Sequence, residues 1–225
     1  MRSAVLAHTP LFRGATPEEV EAMLGCLGAE RRAFARGELI YRAGDVVTAL
    51  GLVLSGRVLI ESGDFWGNVT VLGSAGPGEI FAETYACSPG EPLMVDVEAA
   101  EPTEVLFLDV SRVLQTCPRA CGHHSRLIRA LLALSAQKNL DLSRKIFHTA
   151  PKTIRGRLLA YLSYQALRAG SRRFTIPFDR QQLADYLNVD RSALSNELSK
   201  MQKEGLLEVE KNRFSLSSVP PADRS

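Results

Sequence analysis

Between Glu30 and Asp109, short runs rich in Val, Ile, Leu and Phe return about every ten residues, separated by glycine-containing turns. "RRAFA", "ELIYRAGD", "ALGLVLSGRVLIESGD", "NVTVLGSAGPGEIF", "LMVDVEA" and "TEVLFLD" are these runs. This spacing predicts an antiparallel all-β roll, barrel or sandwich and argues against alternating strand–helix units. Gly56 and the Ser62-Gly63-Asp64 step have the chemistry of hairpin turns. Ahead of the β region, Thr16, Pro17 and Glu19 spell a capping box, so a short helix carrying Val20, Met23 and Leu24 on one side is expected.

Beyond the β region the period changes. After the loop "QTCPRACGHH", Ile128, Leu132, Ser135, Asn139, Leu142 and Ile146 follow one another at alternating spacings of four and three. That is a heptad seam with a polar Asn139 in its middle. A second stripe, Leu127, Leu131 and Leu134, is confined to the N-terminal half. Two stripes predict two neighbours: a twin helix across a dimer axis, and the β domain at the side. Pro151 in "HTAPKT" suits a break or hinge. "TIRGRLLAYLSYQALRAG" then reads as an amphipathic helix stopped by Gly170, and "RRFTIPF" as a short extended piece. The chain therefore divides into a β-roll domain (1–117), a dimerisation helix (118–148) and a terminal domain (149–225), α+β in class.

The most specific stretch is "FDRQQLADYLNVDRSALSNELSKMQKEGLLEVEKNRFSL". Asp179 and Gln182 form a capping box on a helix that buries Leu183, Ala184 and Leu187. A tight turn follows, and Asp190 caps a second helix, closed by Gly205. Leu194, Leu198 and Met201 share its inner face, while Arg191, Ser192, Ser195, Asn196 and Ser199 lie opposite. A hairpin with Lys211 and Asn212 near its tip completes a helix-turn-helix with a wing. Such a helix fits the major groove of double-stranded DNA. Arg191 could bind guanine and Asn196 adenine in bidentate fashion, with Ser192 and Ser195 as adaptable contacts. Arg180, Gln181, Lys200, Lys211 and Arg213 are placed to meet phosphates.

Net charge is only +2, but it is unevenly spread. Residues 1–111 hold 7 Lys/Arg against 16 Asp/Glu, and residues 112–225 hold 20 against 9. A polyanion would meet only the second half. No stretch has the roughly 20 apolar residues that span a bilayer. No signal peptide is legible either, so a cytoplasmic location and no membrane partner are expected. Cys26, Cys87, Cys117 and Cys121 include no C-x-x-C pair and read as free thiols.

In this order of parts the chain resembles the CRP/FNR family of bacterial transcription regulators over nearly its full length. "ELIYRAGD…LGLVLSGRVLI", "GPGEIFAE" and "DRQQLADYLNVDRSALSNEL" carry the likeness. The resemblance implies a cupin-like, cyclic-nucleotide-binding-like sensor, a homodimer through the long helix and an effector that shifts the DNA-reading helices. It also implies RNA polymerase as a partner if the protein activates transcription. The family's base-reading positions fall on Arg191, Ser192, Ser195 and Asn196. Glu and Arg are common there where this chain has Ser192 and Asn196, so the usual half-site is not expected.

The sensor departs further. In cyclic-nucleotide-binding members the Gly-Glu pair would fall at Ala82-Glu83, and the phosphate-binding Arg near Leu93-Met94. From Val58 to Ser111 the chain holds ten acidic residues and no Lys, Arg or His. Burying a phosphate there unpaired would cost several kcal/mol, so cyclic AMP is not the expected effector. An iron–sulfur cluster needs four thiolates, and Cys26 is the only cysteine before Cys87. Haem through His123 or His124, and thiol chemistry at Cys87 or Cys117, stay open. The C-x3-C-G-H-H run formed by Cys117, Cys121, His123 and His124 lacks a usual zinc spacing, and no metal site is assigned. What remains is a small organic effector, or none. Its pocket would be lined by Val71, Ile80, Phe81, Leu93, Met94, Leu127 and Leu131, with Glu83 and Thr84 as polar contacts. Catalysis on a metal-holding barrel is not expected, because the β segment contains no histidine. A ligand-insensitive DNA-binding dimer is the other reading.

Overall fold

The structure, a computed structural model, describes residues 2–114 and 122–217. The chain forms two compact units, Met1–Gln137 and Lys138–Ser225.

The first unit begins with helix α1 (Arg2–Ala7), a 3-10 turn (Pro10–Phe12) and helix α2 (Pro17–Cys26). The expected capping box forms: Thr16 Oγ1 accepts from the Glu19 amide, and the Glu19 carboxylate accepts from the Thr16 amide. The roll follows as β1 (Glu30–Phe34), β2 (Leu39–Tyr41), β3 (Ala49–Ser55), β4 (Val58–Gly63), β5 (Val69–Ala75) and β6 (Ile80–Phe81). A single-turn helix α3 (Glu83–Ala86), then β7 (Asp96–Ala99), β8 (Thr103–Asp109) and helix α4 (Val110–Leu114), complete it. Two four-stranded antiparallel sheets result, in the orders β1-β8-β3-β6 and β2-β7-β4-β5. The roll expected from the ten-residue spacing is present.

Gly56 turns β3 into β4 with φ +80°, where a side chain would also meet the Pro102 carbonyl. The next hairpin turns one step later than its sequence suggests: β4 runs through Gly63, and Asp64 to Gly67 make the corner. There Asp64 accepts from the amides of Trp66 and Asn68.

Between the sheets, Val53, Val58, Phe81, Val97, Val105 and Phe107 form one core. A second core lies outside the roll. Leu6, Leu11, Phe12, Val20 and Met23 from the N-terminal helices pack on Leu50, Leu52, Ile80, Leu106 and Leu108, and on Leu127 and Leu131. The latter two belong to helix α5 (Gly122–Thr149), and Leu134 flanks the same cluster. The inner stripe of α5 thus covers the roll, as its spacing predicts. Helix α1 is not legible in the sequence as an element, because six residues hold too little periodicity to signal one.

In the second unit α5 ends at Thr149, and helix α6 (Ile154–Ala169) starts behind Pro151, capped by Thr153. Gly170, left-handed at φ +58°, terminates α6. Strand β9 (Arg173–Thr175), helix α7 (Arg180–Leu187), helix α8 (Arg191–Lys203) and the hairpin β10 (Leu207–Glu210) and β11 (Arg213–Leu216) follow. Leu158, Tyr161, Leu162, Leu183, Leu194, Leu198, Met201 and Phe214 share one core. The extended piece "RRFTIPF" becomes a third wing strand: β9 pairs with β11, Phe174 opposite Phe214. Among the described residues, no helix is long and apolar enough to cross a membrane.

Candidate nucleic-acid interface

Local chemistry shapes the α7–α8 corner. Asp179 and Gln182 form the expected reciprocal cap on α7. Asn188, left-handed at φ +52°, ends α7, and three residues later α8 begins. Asparagine tolerates that conformation better than most residues, which keeps the turn tight. Asp190 caps α8 by accepting from the Ala193 amide at 2.9 Å. The Ser192 hydroxyl also donates to Asp190, and this bond is the main cause that holds the Asp190 carboxyl below the usual carboxylate range. Leu194, Leu198 and Met201 are buried, so the opposite face of α8 must meet solvent.

On that face Arg191 and Asn196 are exposed. The two serines are already engaged: Ser192 donates to Asp190, and Ser195 to the Arg191 carbonyl at 2.9 Å. With their protons committed internally, they offer a ligand mainly oxygen lone pairs. Ser199 repeats the arrangement one turn later on the Ser195 carbonyl.

The other basic residues of this domain are placed as follows. Lys211 and Asn212 form the two-residue wing tip, with Lys211 left-handed at φ +54°. Arg180, at the start of α7, donates to the Lys211 carbonyl, and its partial burial lowers its pKa. Arg180, Gln182, Lys211 and Asn212 line a cleft of about 520 Å³ together with Pro177 and Asp179. Asn212 Nδ2 donates to the Ile176 carbonyl and anchors the tip. Arg213 is exposed on β11. Gln181 is tied to Asp185 at 2.8 Å, and Lys200 stands 4.0 Å from Glu197. The structure therefore draws Arg180 and Lys211 together, while Gln181 and Lys200 have acidic neighbours on their own helices.

The sensor residues are placed differently from one another. Ile80, Leu127 and Leu131 belong to the core outside the roll, filled from the N-terminal side by Leu6, Leu11 and Phe12. Phe81 points the other way, into the core between the sheets, because adjacent strand residues face opposite sides. Val71 and Met94 are 55% and 76% exposed, which corrects their expected place in a shared apolar pocket of the single chain. The cause is local: β5 is paired on only one side, and Met94 sits in the loop before β7. Thr84 is exposed as well. Glu83 is buried at the first turn of α3, behind Ala82, which is left-handed at φ +58° where glycine would be unstrained. Leu93 is 3% exposed, its backbone pinned to the Gly44–Asp45 loop by two hydrogen bonds.

Two clefts in this unit have other linings. One of about 510 Å³ includes Arg32, Tyr41, Asp45, Phe107, Asp109 and Arg112. The other, of about 380 Å³, includes Leu6, Thr9, Val53 and Pro77. These linings could be found only by folding, since they join residues up to a hundred positions apart.

Among the described residues no group of three or more His, Cys, Asp or Glu side chains could hold a metal ion. His124 is buried at the start of α5; Cys117, Cys121 and the His123 side chain lie outside the described residues. Cys26 and Cys87 are free and exposed. Partial burial, and then the Glu83 carboxylate, push the Cys87 thiol pKa up, which lowers its thiolate fraction.

A β-roll followed by a long helix and a winged helix-turn-helix defines a class of transcription regulators that bind DNA through the second helix of that motif. Residues 31–119 match the cyclic nucleotide-binding domain family, and residues 156–219 the Crp-like helix-turn-helix domain. The "Cyclic AMP receptor protein" of Thermus thermophilus is 30% identical over 202 residues, 88% of each chain. The "Transcriptional regulatory protein btr" of Bordetella pertussis is 25% identical over 224 residues, 97% of this chain and 89% of that one. The structure of the c-di-GMP-responsive global regulator CLP of Xanthomonas campestris shares the fold, with a TM-score of 0.54 at 22% identity, covering 91% of this chain and all of that one. The chain belongs to the CRP/FNR family of transcription regulators. It is a DNA-binding protein, not an enzyme.

Proposed function

We propose that this chain regulates transcription as a homodimer that reads a specific DNA operator, gated by an effector other than cyclic AMP. The observation that carries the DNA-reading part is the exposed pair Arg191 and Asn196 on the first turns of α8, in a domain whose Arg180 and Lys211 line one cleft at the wing tip. Arg191 would read guanine and Asn196 adenine, with Ser192 and Ser195 accepting from exocyclic amino groups. Arg180, Gln181, Lys200, Lys211 and Arg213 would set register on phosphates.

Dimerisation through α5 is supported by the outer seam. Leu132, Leu142 and Ile146 are more than half exposed at heptad positions, alongside Ile128, Ser135 and Asn139. Against a nucleotide effector stands Leu93, buried and apolar where the family's phosphate-binding arginine would fall, in a segment without any base. The relatives named for cyclic AMP and c-di-GMP both answer to phosphate-bearing ligands, and the same objection meets either here. An effector facing Glu83 would instead be neutral or cationic. The raised Cys87 pKa argues against a thiol switch at that residue.

Fluorescence anisotropy on an operator selected from random duplexes tests this reading. Affinity should fall steeply with salt, by orders of magnitude over a fourfold rise, and millimolar cyclic AMP should change neither affinity nor Tm. A flat salt response would remove the DNA assignment. A Tm rise with cyclic AMP would restore the nucleotide.

A further inference from the structure

Arg155 sits in the first turn of α6, where a cation is unfavourable against the positive end of the helix dipole. Glu204 sits at the C-cap of α8, where an anion is equally misplaced. The two offset one another. Arg155 Nη1 and Nη2 each donate to a Glu204 oxygen at 2.8 Å, a bidentate fork, and Nε donates to Glu197 at 2.6 Å. One guanidinium thus grips α8 at two points seven residues apart on one flank. Glu197 is the more enclosed partner, its side chain 17% exposed. The bonds raise the Arg155 pKa, Glu204 contributing most, and hold the Glu204 carboxyl below its usual range.

This flank adjoins the reading face. Glu197 follows Asn196 in the chain and lies 4.0 Å from the Lys200 ammonium. Without Arg155, two carboxylates on the DNA-reading helix would rely on Lys200 alone beside a polyanion, which would draw Lys200 from phosphate. Loss of the fork would also remove the polar tie between the C-terminal end of α8 and the first turn of α6, leaving only their apolar packing. We infer that Arg155 is a positioning residue for operator recognition: it sets the pose of α8 and neutralises Glu197 and Glu204 when DNA approaches. This rests on α8 being the DNA-reading helix.

The test compares the full-length protein with Arg155→Gln, Arg155→Lys and Glu204→Gln, measuring Kd for the selected operator and for a random duplex, together with Tm. Arg155→Gln should weaken operator binding by on the order of tenfold and lower the operator-to-random ratio. Adding Glu204→Gln to it should recover part of the affinity, since one uncompensated charge is removed. Arg155→Lys, which keeps the charge but not the fork, should recover affinity for random DNA more than discrimination. If Arg155→Gln does not fold, Glu204→Gln alone should still lower the ratio, because it breaks the fork while keeping Arg155 on Glu197. An unchanged ratio in the folded variants would reduce Arg155 to a structural tie and overturn the inference. A wild-type protein with no preference for any duplex would overturn the DNA reading itself, and this inference with it.

Discussion

Asn196 and Lys211 both present polar groups to solvent, yet they differ in what they can discriminate. An amide can pair with one base edge, whereas an ammonium meets any phosphate. Asn196→Ala should therefore change preference at one base pair, by about 1–3 kcal/mol. Lys211→Ala should weaken all sequences alike and reduce the salt slope by about one. Affinities across a panel of single-base operator variants measure both, and the same uniform loss from each substitution would sink the assignment.

His148 is a residue of another kind. It is 1% exposed near the end of α5, with Nδ1 2.8 Å from the Tyr186 hydroxyl and no hydrogen-bond partner for Nε2 among the described residues. Tyr161 and Tyr164 flank its ring. Burial, and then Arg144, lower its pKa from the ordinary 6.5. The unfolded chain thus binds more protons as pH falls through 6.5. The stability that this neutral histidine contributes is full above that pH, declines below it and is lost once pH passes the folded-state pKa. His148 is the only histidine in residues 138–225. Tm should fall on going from about pH 7 to pH 5, and His148→Gln should fall less over the same range. Parallel declines would place the acid sensitivity elsewhere.

At the scale of elements, the β3–β6 pairing depends on a contact that sequence cannot announce. Gly51 lies opposite Phe81 in register, and a methyl group at Gly51 would come within 2.2 Å of the Phe81 ring. The ring fills the core between the sheets, so it cannot yield cheaply. Gly51→Ala should cost about 1–3 kcal/mol in denaturant titrations, and adding Phe81→Leu should recover part of it. No loss in the single variant would show that the strands shift freely. In sequence, "ALGLVLSG" marks a strand and a turn, but the glycine within the strand looks like an interruption. The capping boxes were legible because all their partners lie within three residues. The third wing strand was not, since β9 and β11 are about forty residues apart and only pairing makes "RFT" a strand.

For the whole molecule, the proposed homodimer would present two recognition helices together. Leu142 is 62% exposed on the outer seam of α5. Leu142→Glu should shift sedimentation from dimer to monomer and weaken operator binding by orders of magnitude, because one half-site contact no longer concentrates the other. It should leave monomer stability little changed, since the side chain is unburied in the single chain. A dimer unaffected by the change would remove α5 as the interface.

Much of this protein was settled by its sequence alone. The ten-residue rhythm specified a roll, the heptad spacing a long helix with two faces, and the "DRQQLADYLNVDRSALSNEL" run a helix-turn-helix with an exposed polar face. Each is a local pattern, dictated by backbone periodicity and caps within a few residues. The same reading found the missing base between Val58 and Ser111, a property of composition. Tertiary structure decided what depends on distant partners. It packed Ile80, Leu127 and Leu131 against N-terminal helices, turned Val71 and Met94 to solvent, and closed Arg155 onto Glu197 and Glu204, more than forty residues away. Side-chain spacing along a chain fixes which face a residue occupies; only the assembled fold fixes what that face meets.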